Sequence, residues 1–436
     1  MIQVQTSAPL IKKILREQVY NQAENYRWAT YVYKVAHKDG SLVYNVLTKE
    51  LLLLSDSQNE EEQLVKKWFL VKSSFVEKGL IEQIKSFLSI ISLRNNTIDN
   101  YTIFTTTDCN ARCYYCFEKD SPKIRMNNDV ITQTVDFIRH YYKNKNILIQ
   151  WFGGEPLYNI KAINRISEEL NAHNISFSSS MTSNGYLFNE NILVKAIKEW
   201  HLKSIQITLD GTKENYNRIK SYIHKDPNPY MRVMDNIEQL LKSKIDTTVR
   251  LNISLDNFAD IKILLYQLIE RFKDYDNLTI YAHPLFDLMT DTASRKEILM
   301  NLSCLQEIIN NHHFNQEYTY FARPRITHCK ADNNSNSIVI YPDGNIGLCD
   351  HKFGEEYIGH VSNTQLNSNI IQKWRTVKES ISQCATCLLY PDCIKLEYCD
   401  TNANCYPELI EIDKKLIERS IISSYQKYMS KNETEI

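Results

Sequence analysis

Short apolar stretches alternate with longer amphipathic stretches through the middle of the chain. The short stretches predict buried β-strands over residues 101–106, 147–152, 175–181, 204–209, 248–253 and 278–282. Apolar residues at helical spacing predict the intervening helices over residues 130–142, 160–170, 192–200, 230–241 and 258–272. A further helix is expected after the last strand. This alternation indicates a parallel sheet with right-handed crossovers, and six units, fewer than the eight of a closed barrel, predict an open, partial (βα)6 TIM-like barrel.

The region before this α/β pattern is smaller and mixed. Strands are predicted over residues 29–35 and 41–46, with a Lys-Asp-Gly turn at residues 38–40 between them. Helices are predicted over residues 60–69 and 77–88. We therefore expect a small α+β region at the N-terminal end of the chain.

The region after the α/β pattern is loop-rich. A Pro-Asp-Gly-Asn turn at residues 342–345 predicts a β-hairpin over residues 338–348, and a last helix is predicted over residues 409–429. Little periodic apolar sequence lies between them. A segment with so little apolar sequence needs another source of stability, and bound metal is the plausible one.

Composition and charge exclude several classes of protein. The chain has 436 residues, which predicts two or three domains, and its 43% hydrophobic and 24% charged residues are typical of a globular protein. Its net charge of −1 gives no electrostatic signature of nucleic-acid or membrane-surface binding. The apolar runs are shorter than a membrane span, and the first residues lack a signal-peptide pattern. We expect a cytoplasmic protein with no nucleic-acid or membrane partner.

The distribution of the 11 cysteines points to metal chemistry. Clustered cysteines in a reducing compartment are more often metal ligands than disulfides. Cys109, Cys113 and Cys116 follow the first predicted strand of the barrel. Three thiolates can hold an iron–sulfur cube and leave one iron for a non-protein ligand, whereas zinc would require a fourth protein ligand nearby. Cys304 stands alone and is expected to be a small buried hydrophobic residue.

The spacing Cys-x3-Cys-x2-Cys, with Tyr115 just before the last cysteine, resembles the signature of radical S-adenosylmethionine (radical SAM) enzymes. The resemblance implies a [4Fe–4S] cluster on the three cysteines, with the amino and carboxylate groups of S-adenosylmethionine on the fourth iron. It also implies that Tyr115 lies against the adenine.

Motifs at four further strand ends are similar to those of the same family. They are the Gly-Gly-Glu sequence at residues 153–155, a Ser-Asn-Gly turn, a Thr-Leu-Asp-Gly sequence, and two polar residues on the fifth strand. Apart from Tyr115, the implied cofactor-binding residues are Gly153, Gly154, Glu155, Ser183, Asn184, Thr208, Asp210, Arg250 and Asn252. The glycines could instead form a simple strand-to-helix turn, and Asp210 could instead cap the following helix.

Seven cysteines near the C-terminal end resemble the SPASM extension of radical SAM enzymes, which carries two auxiliary [4Fe–4S] clusters. By position, one cluster (auxiliary II) falls on Cys384, Cys387, Cys393 and Cys405, and the other (auxiliary I) falls on Cys329, Cys349 and Cys399. A pair of zinc ribbons is the alternative. The protein is thus expected to bind three [4Fe–4S] clusters and S-adenosylmethionine.

The sequence departs from the SPASM pattern at two places. Five residues separate Cys393 from Cys399 where the family has three, and residues 394–396 are Ile-Lys-Leu where glycines are usual. The extra cysteine that sulfatase-maturing relatives have before Cys329 is missing, and Arg323, Pro324 and His328 lie there. Auxiliary I therefore has three evident thiolates, unless His328 or another residue supplies a fourth ligand.

The resemblance implies a division into five segments. Residues 1–97 form a peptide-recognition region, in which residues 44–48 (Tyr-Asn-Val-Leu-Thr) resemble a segment of SPASM peptide maturases. The other segments are the radical SAM partial barrel at residues 98–300, a bridging segment at 301–325, the SPASM domain at 326–410, and a C-terminal helix and tail at 411–436.

The function implied is maturation of a ribosomally made (RiPP) precursor peptide with a leader, driven by a flavodoxin- or ferredoxin-like electron donor. Formation of a cysteine thioether is the leading expectation, followed by carbon–carbon crosslinking or epimerisation. Formylglycine formation in a sulfatase is a second possibility, for which Asp287 is a weak candidate catalytic base. A zinc-stapled binding module without enzyme activity is the third.

Overall fold

The computed structural model of the protein describes residues 1–55, 60–92, 97–285, 291–312, 314, 325–327, 329–332, 336–399, 405 and 407–433. The described residues divide into two compact units. The first unit comprises residues of the ranges 1–94, 317–329 and 375–436, and the second comprises those of 95–316 and 330–374. The division into five functional segments stays a prediction.

The elements of both units are numbered here in chain order. The strands are β1 (Ile2–Gln5), β2 (Tyr26–Trp28), β3 (Val32–His37), β4 (Gly40–Asn45), β5 (Glu50–Leu54), β6 (Leu70–Lys72), β7 (Asn100–Thr106), β8 (Ile147–Gly153), β9 (Phe177–Ser183), β10 (Leu202–Leu209), β11 (Asp246–Ile253), β12 (Leu278–Pro284), β13 (Ser337–Ile340), β14 (Asn345–Gly347) and β15 (Gly359–His360). The helices are α1 (Pro9–Ile14), α2 (Glu61–Lys66), α3 (Glu77–Ser92), α4 (Asn128–Tyr141), α5 (Ile160–Ala172), α6 (Glu190–Lys198), α7 (Lys213–Lys220), α8 (Pro229–Lys242), α9 (Phe258–Phe272), α10 (Thr292–Asn311), α11 (Ser368–Trp374) and α12 (Pro407–Glu433).

The first unit is built on an antiparallel sheet with the strand order β1-β5-β4-β3, beside the two-stranded sheet β2-β6. The sequence predicted the β3-β4 hairpin but not β1 or β5. Residues 50–53 of β5 are all buried, and a continuous apolar run lacks the alternation by which a strand is recognised. Leu51 packs in one core with Ile81 of α3, with Ile417 of α12 and with Tyr390. The N-terminal sheet therefore shares its core with the C-terminal part of the chain.

The second unit contains a nine-stranded sheet with the order β12-β11-β10-β9-β8-β7-β13-β14-β15. All six predicted parallel strands and all five predicted helices are present, with ends that differ by at most two residues. Asparagine caps start several of these helices: the side chains of Asn127, Asn189 and Asn228 accept hydrogen bonds from the backbones of α4, α6 and α8. The α/β class is confirmed, and the largely parallel sheet is consistent with a partial barrel.

Helix α7 and the pairing of β13 with β7 are among the features of this unit that were not predicted. Helix α7 was missed because its residues are mostly polar, and only Tyr216, Ile219 and Lys220 are buried. The predicted hairpin is present as β13-β14, but β13 also pairs in parallel with β7, from Ser337 opposite Asn100 onward. This pairing joins residues more than 200 positions apart, which no local pattern encodes.

The two faces of the parallel sheet differ in chemistry. Ile103, Trp151 and Val249 are fully buried on the face that is covered by helices. On the other face, Tyr281 donates a hydrogen bond of 2.7 Å to Gln206, and both side chains are only half-buried. The second face is therefore polar and partly accessible at this pair of residues. Among the described helices, none combines the length and the apolar character needed to cross a membrane.

Candidate functional site

The first three predicted cluster cysteines lie on one long loop, residues 107–127, between β7 and α4; it is called the cysteine loop below. Its two ends are tied together, since the Thr107 N–H donates to the Ile124 carbonyl at 2.9 Å and the Ile124 N–H donates to the Thr107 hydroxyl at 2.8 Å. The loop is thus held at the carboxyl end of β7, where function is expected in a barrel of parallel strands.

The thiols of this loop are partly buried and lie close enough to affect one another. Burial, followed by the charge of Glu155, raises the pKa of Cys109 to about 12, and a hydrogen bond from the Ala111 N–H offsets part of the rise. Burial likewise raises the pKa of Cys113 and of Cys116, and the charge of Cys113 adds to the rise at both of the other thiols. Three buried sulfurs with raised pKa values are suited to a positively charged metal partner, which stabilises their thiolate forms.

The glycines of the Gly-Gly-Glu motif bring β8 against the cysteine loop. Gly153 has a φ of +116°, and a Cβ at Gly154 would lie 2.5 Å from the Asp108 carbonyl oxygen. The Gly154 N–H donates to Thr106 and the Glu155 N–H donates to Asp108, both at 3.0 Å. The close approach that Gly154 allows is therefore an approach to the backbone of the cysteine loop.

Glu155 connects the end of β8 to the end of β9. Its fully buried carboxylate accepts hydrogen bonds from the Ser183 hydroxyl at 2.9 Å, the Asn184 N–H at 2.8 Å and the Leu157 N–H at 3.2 Å. Burial raises the pKa of Glu155 to about 7, although these three hydrogen bonds lower it. The carboxylate is thus used to join two strand ends.

Asn184 connects β9 to the cysteine loop. Its Nδ2 donates to Asn110 Oδ1 at 2.7 Å and lies 3.8 Å from Cys109 Sγ. Asn110 is fully buried, and its Nδ2 has no hydrogen-bond partner within the described part of the chain. A buried donor beside the cysteines fits a bound polar ligand, because an unsatisfied buried amide is costly.

Asp210 is the centre of a second group of side chains. Its Oδ1 accepts hydrogen bonds from the Tyr115 hydroxyl at 2.5 Å and from Asn252 Nδ2 at 2.8 Å, and Lys220 Nζ lies 2.9 Å from its Oδ2. Asn252 is buried, and in the described structure its Oδ1 accepts no hydrogen bond. Asp210 does not cap α7, for which Thr212 is the N-cap residue.

Lys220 was not identified from the sequence. It is 2% exposed, and its Nζ also donates to the Thr208 hydroxyl at 2.8 Å. Burial alone would lower the pKa of Lys220, but Asp210, Tyr115 and Cys113 raise it well above its usual value. The Lys220 carbonyl accepts from the Arg112 N–H, so α7 also supports the cysteine loop. No sequence signal identifies this lysine, because it lies in the polar helix that the pattern missed.

Arg250 and His283 form a third group at the ends of β11 and β12. Arg250 Nη2 lies 3.1 Å from His283 Nδ1, which lies 2.7 Å from the Pro284 carbonyl oxygen. Burial, and then the charge of Arg250, lower the pKa of His283 to about 4, so that this imidazole is neutral near pH 7. His283 was also not predicted from the sequence. The weak candidate base Asp287 lies outside the described residues.

Four C-terminal cysteines form a separate group in the first unit. Short 3-10 helices at Ser382–Thr386 and Tyr390–Asp392 position Cys384, Cys387 and Cys393. Burial raises the pKa of Cys387, and the charges of Cys405 and Cys384 raise it further. Burial also raises the pKa of Cys393, to which Cys387 and Cys384 contribute. Of the four residues assigned to auxiliary II by position, Cys387 and Cys393 are thus affected by the charges of other members of the set.

The ligands proposed for auxiliary I are distributed over both units. Cys329 and Cys399 belong to the first unit and Cys349 belongs to the second. His328 lies outside the described residues, so this ligand set stays a prediction. Cys304 lies in α10 and is partly buried.

No three histidine, cysteine, aspartate or glutamate side chains of the described residues converge on one point as a single metal ion would require. An iron–sulfur cube has a different requirement, because each cysteine binds its own iron.

Residues 103–265 match the profile of the radical SAM superfamily. The matched segment contains the cysteine loop, the Gly-Gly-Glu motif and Asp210. The chain therefore contains a radical SAM domain, and this family implies S-adenosylmethionine and a [4Fe–4S] cluster as cofactors.

Curated relatives include GTP 3′,8-cyclases. The enzyme from Helicobacter pylori (strain HPAG1) is 25% identical over 171 residues, which are 38% of this chain and 52% of the cyclase. The chain thus spans about half the length of this relative.

Two solved structures share the fold over most of their length. The structure of anSMEcpe with bound AdoMet and Cp18Cys peptide is 16% identical, covers 75% of this chain and 99% of its own, and has a TM-score of 0.54. Streptococcus suis SuiB bound to the precursor peptide SuiA is 14% identical, covers 89% of this chain and 97% of its own, and has a TM-score of 0.52. At these identities the likeness establishes the fold.

Proposed function

We propose that this protein is a radical SAM enzyme that modifies a ribosomally made precursor peptide and forms a cysteine thioether crosslink. The observation that carries the proposal is that Glu155, Asn184 and Asp210 link strand ends to the cysteine loop through two buried groups of polar side chains. The two peptide-bound structures of the same fold support a peptide as the substrate.

In the proposed site Cys109, Cys113 and Cys116 would hold the radical cluster, and S-adenosylmethionine would bind beside it. When bound, these cofactors supply a 5′-deoxyadenosyl radical that removes hydrogen from an unactivated carbon. The buried Asn110 Nδ2 and Asn252 Oδ1, which lack partners among the described residues, support the fit of a polar ligand at this place.

The protein's own residues would orient the cofactor and keep water away. Asp210 and Asn252 fix the Tyr115 hydroxyl, and this holds the aromatic ring in the position proposed to contact the adenine. Arg250, which carries a permanent positive charge, would contact the carboxylate of the cofactor at the end of β11. The half-buried polar face around Gln206 and Tyr281 would contact the peptide.

The first unit is proposed to recognise the peptide leader. Strand β3 is at the edge of its four-stranded sheet, and an extended peptide can pair with such an edge through main-chain hydrogen bonds. The four cysteines of auxiliary II and the three of auxiliary I would hold two further clusters, which would supply an electron acceptor for sulfur–carbon bond formation. The three thiolates of auxiliary I would leave room for a substrate thiolate as a fourth ligand.

Three alternatives make different predictions. Formylglycine formation would convert a substrate cysteine with loss of its sulfur. Carbon–carbon crosslinking or epimerisation would leave every thiol of the peptide free. A zinc-stapled module would bind zinc and would form no 5′-deoxyadenosine.

The decisive experiment is anaerobic reconstitution followed by analysis of iron, sulfide and zinc, with Cys304→Ala as the control for loss of an unrelated cysteine. Three [4Fe–4S] clusters require about twelve irons per chain. Reduction with a flavodoxin or with dithionite, in the presence of S-adenosylmethionine and a cysteine-containing precursor peptide, should then yield a peptide that has lost two hydrogens and one free thiol. Unchanged free thiols in a modified peptide would reject thioether formation.

A further inference from the structure

Helix α3 of the N-terminal region packs against the segment that contains the auxiliary II cysteines. Glu82 Oε1 accepts hydrogen bonds from the Ser380 hydroxyl at 3.0 Å and from the Tyr390 hydroxyl at 3.1 Å. Lys85, one turn further along the helix, donates through Nζ to the Cys393 carbonyl at 2.8 Å. These contacts join residues about 300 positions apart within one compact unit.

The position of Lys85 suits a charged ammonium group. Its Nζ lies 3.9 Å from the centroid of the Tyr390 ring, where the π-electrons of the ring attract a cation. Burial lowers the pKa of Lys85, and the charges of Cys393 and Cys384, two of the four proposed cluster ligands, partly offset this lowering. The Lys85 ammonium group is therefore held beside the backbone of Cys393, between its carbonyl oxygen and the Tyr390 ring.

The other charges near these cysteines do not duplicate this arrangement. Asp392 precedes Cys393, but it forms a buried ion pair with Lys49, so the two charges largely cancel. Lys395 also interacts with Cys393 and lies on the cysteine segment itself. Lys85 is distinct because it comes from the N-terminal region.

We propose that Lys85 sets the reduction potential of the cluster on Cys384, Cys387, Cys393 and Cys405, and raises it. Reduction adds a negative charge to the cluster, and a nearby fixed cation stabilises the reduced form more than the oxidised form. The N-terminal region thereby makes auxiliary II a better electron acceptor. This inference rests on the proposed function, since it requires that the cluster is present.

The test is a potentiometric titration of the full-length reconstituted protein followed by electron paramagnetic resonance. The signal that disappears in Cys387→Ala is assigned to auxiliary II. In Lys85→Met the midpoint potential of this signal should fall by about 59 mV, which corresponds to a tenfold change in a one-electron equilibrium. Lys85→Arg should keep the potential, and so should Lys66→Met, which removes a lysine from helix α2 of the same unit.

Lys85→Gln separates charge from anchoring, because glutamine can still donate to the Cys393 carbonyl but has no charge. A lowered potential in this variant supports the proposal. An unchanged potential with full iron content would overturn it, and so would loss of the cluster in both uncharged variants, which would show that Lys85 only holds the loop. If the wild-type protein has no such signal, the proposed function fails instead.

Discussion

The Tyr115 hydroxyl donates a 2.5 Å hydrogen bond to Asp210, which lies 95 positions later in the chain. Tyr115 belongs to the cysteine loop after β7 and Asp210 follows β10, so this bond joins the loop to a strand end three strands away in the sheet. Burial raises the pKa of Tyr115 well above its usual value. The hydroxyl therefore stays protonated and donates to the carboxylate.

Replacing Tyr115 by Phe should remove this donor and leave the aromatic ring. A hydrogen bond to a charged group contributes about 1.5–3 kcal/mol, so we expect affinity for S-adenosylmethionine to fall by about tenfold or more. Calorimetric titration of the reconstituted protein measures this. Tyr114→Phe is the matched control, because Tyr114 is the preceding residue and is 59% exposed. Equal affinities in both variants would show that the Tyr115 bond does not orient the cofactor.

Gly154→Ala should disturb the backbone of the cysteine loop, although Gly154 itself lies outside this loop. The added Cβ would lie 2.5 Å from the Asp108 carbonyl oxygen, so the backbone of the loop must shift. We expect affinity for S-adenosylmethionine to fall by at least tenfold, which is about 1.4 kcal/mol. Gly79→Ala is the control, because a Cβ there meets no atom within 4 Å. Wild-type affinity in Gly154→Ala would mean that the contact with Asp108 is unimportant.

Glu155 should make folding stability depend on pH. Burial raises its pKa from 4.5 to about 7 in the folded chain. The folded state therefore binds more protons than the unfolded state between these values, and stability is lost as pH rises through this window. The loss amounts to about 3 kcal/mol.

Glu155→Gln removes this titration. The free energy of unfolding of the metal-free variant, relative to that of the metal-free wild type, should increase by about 3 kcal/mol between pH 4.5 and pH 8. Denaturant titrations at several pH values measure this difference. A difference that is the same at every pH would contradict the raised pKa of Glu155.

Ala36→Pro tests peptide recognition at the edge of the small sheet. Ala36 lies on edge strand β3, is exposed, and by the alternation of the β3-β4 ladder its N–H points to the open edge. Proline removes this donor and is tolerated at sheet edges. We expect weaker binding of the precursor peptide, measured by fluorescence anisotropy, and unchanged cleavage of S-adenosylmethionine. Ala36→Ser keeps the N–H and should bind normally; equal loss in both variants would exclude pairing with this edge.

The sequence predicts the parallel sheet well because its strands are short, apolar and separated by helices with regular spacing. Once these strands are predicted, residues at their ends, such as Glu155, Asn184 and Asp210, can be predicted as site residues, because parallel strands bring their carboxyl ends together. The roles of the first two in joining strands were not predictable, because hydrogen bonds between strand ends depend on three-dimensional proximity.

Other parts of the site have no local signal. Lys220 lies in a polar helix without apolar periodicity, and His283 is an ordinary residue at the end of a strand. The pairing of β13 with β7 and the contact of Lys85 with the cysteine segment both join distant parts of the chain. Only the folded structure brings these residues together.

Reductive cleavage of S-adenosylmethionine tests the central claim most directly. The wild-type protein, reconstituted anaerobically and reduced with dithionite, should form 5′-deoxyadenosine, and Cys304→Ala should do the same. The triple variant Cys109→Ala, Cys113→Ala, Cys116→Ala should form none and should keep the iron of the auxiliary clusters, because those cysteines lie elsewhere. Formation of 5′-deoxyadenosine by the triple variant, or none by a wild-type protein with full iron content, would contradict the account.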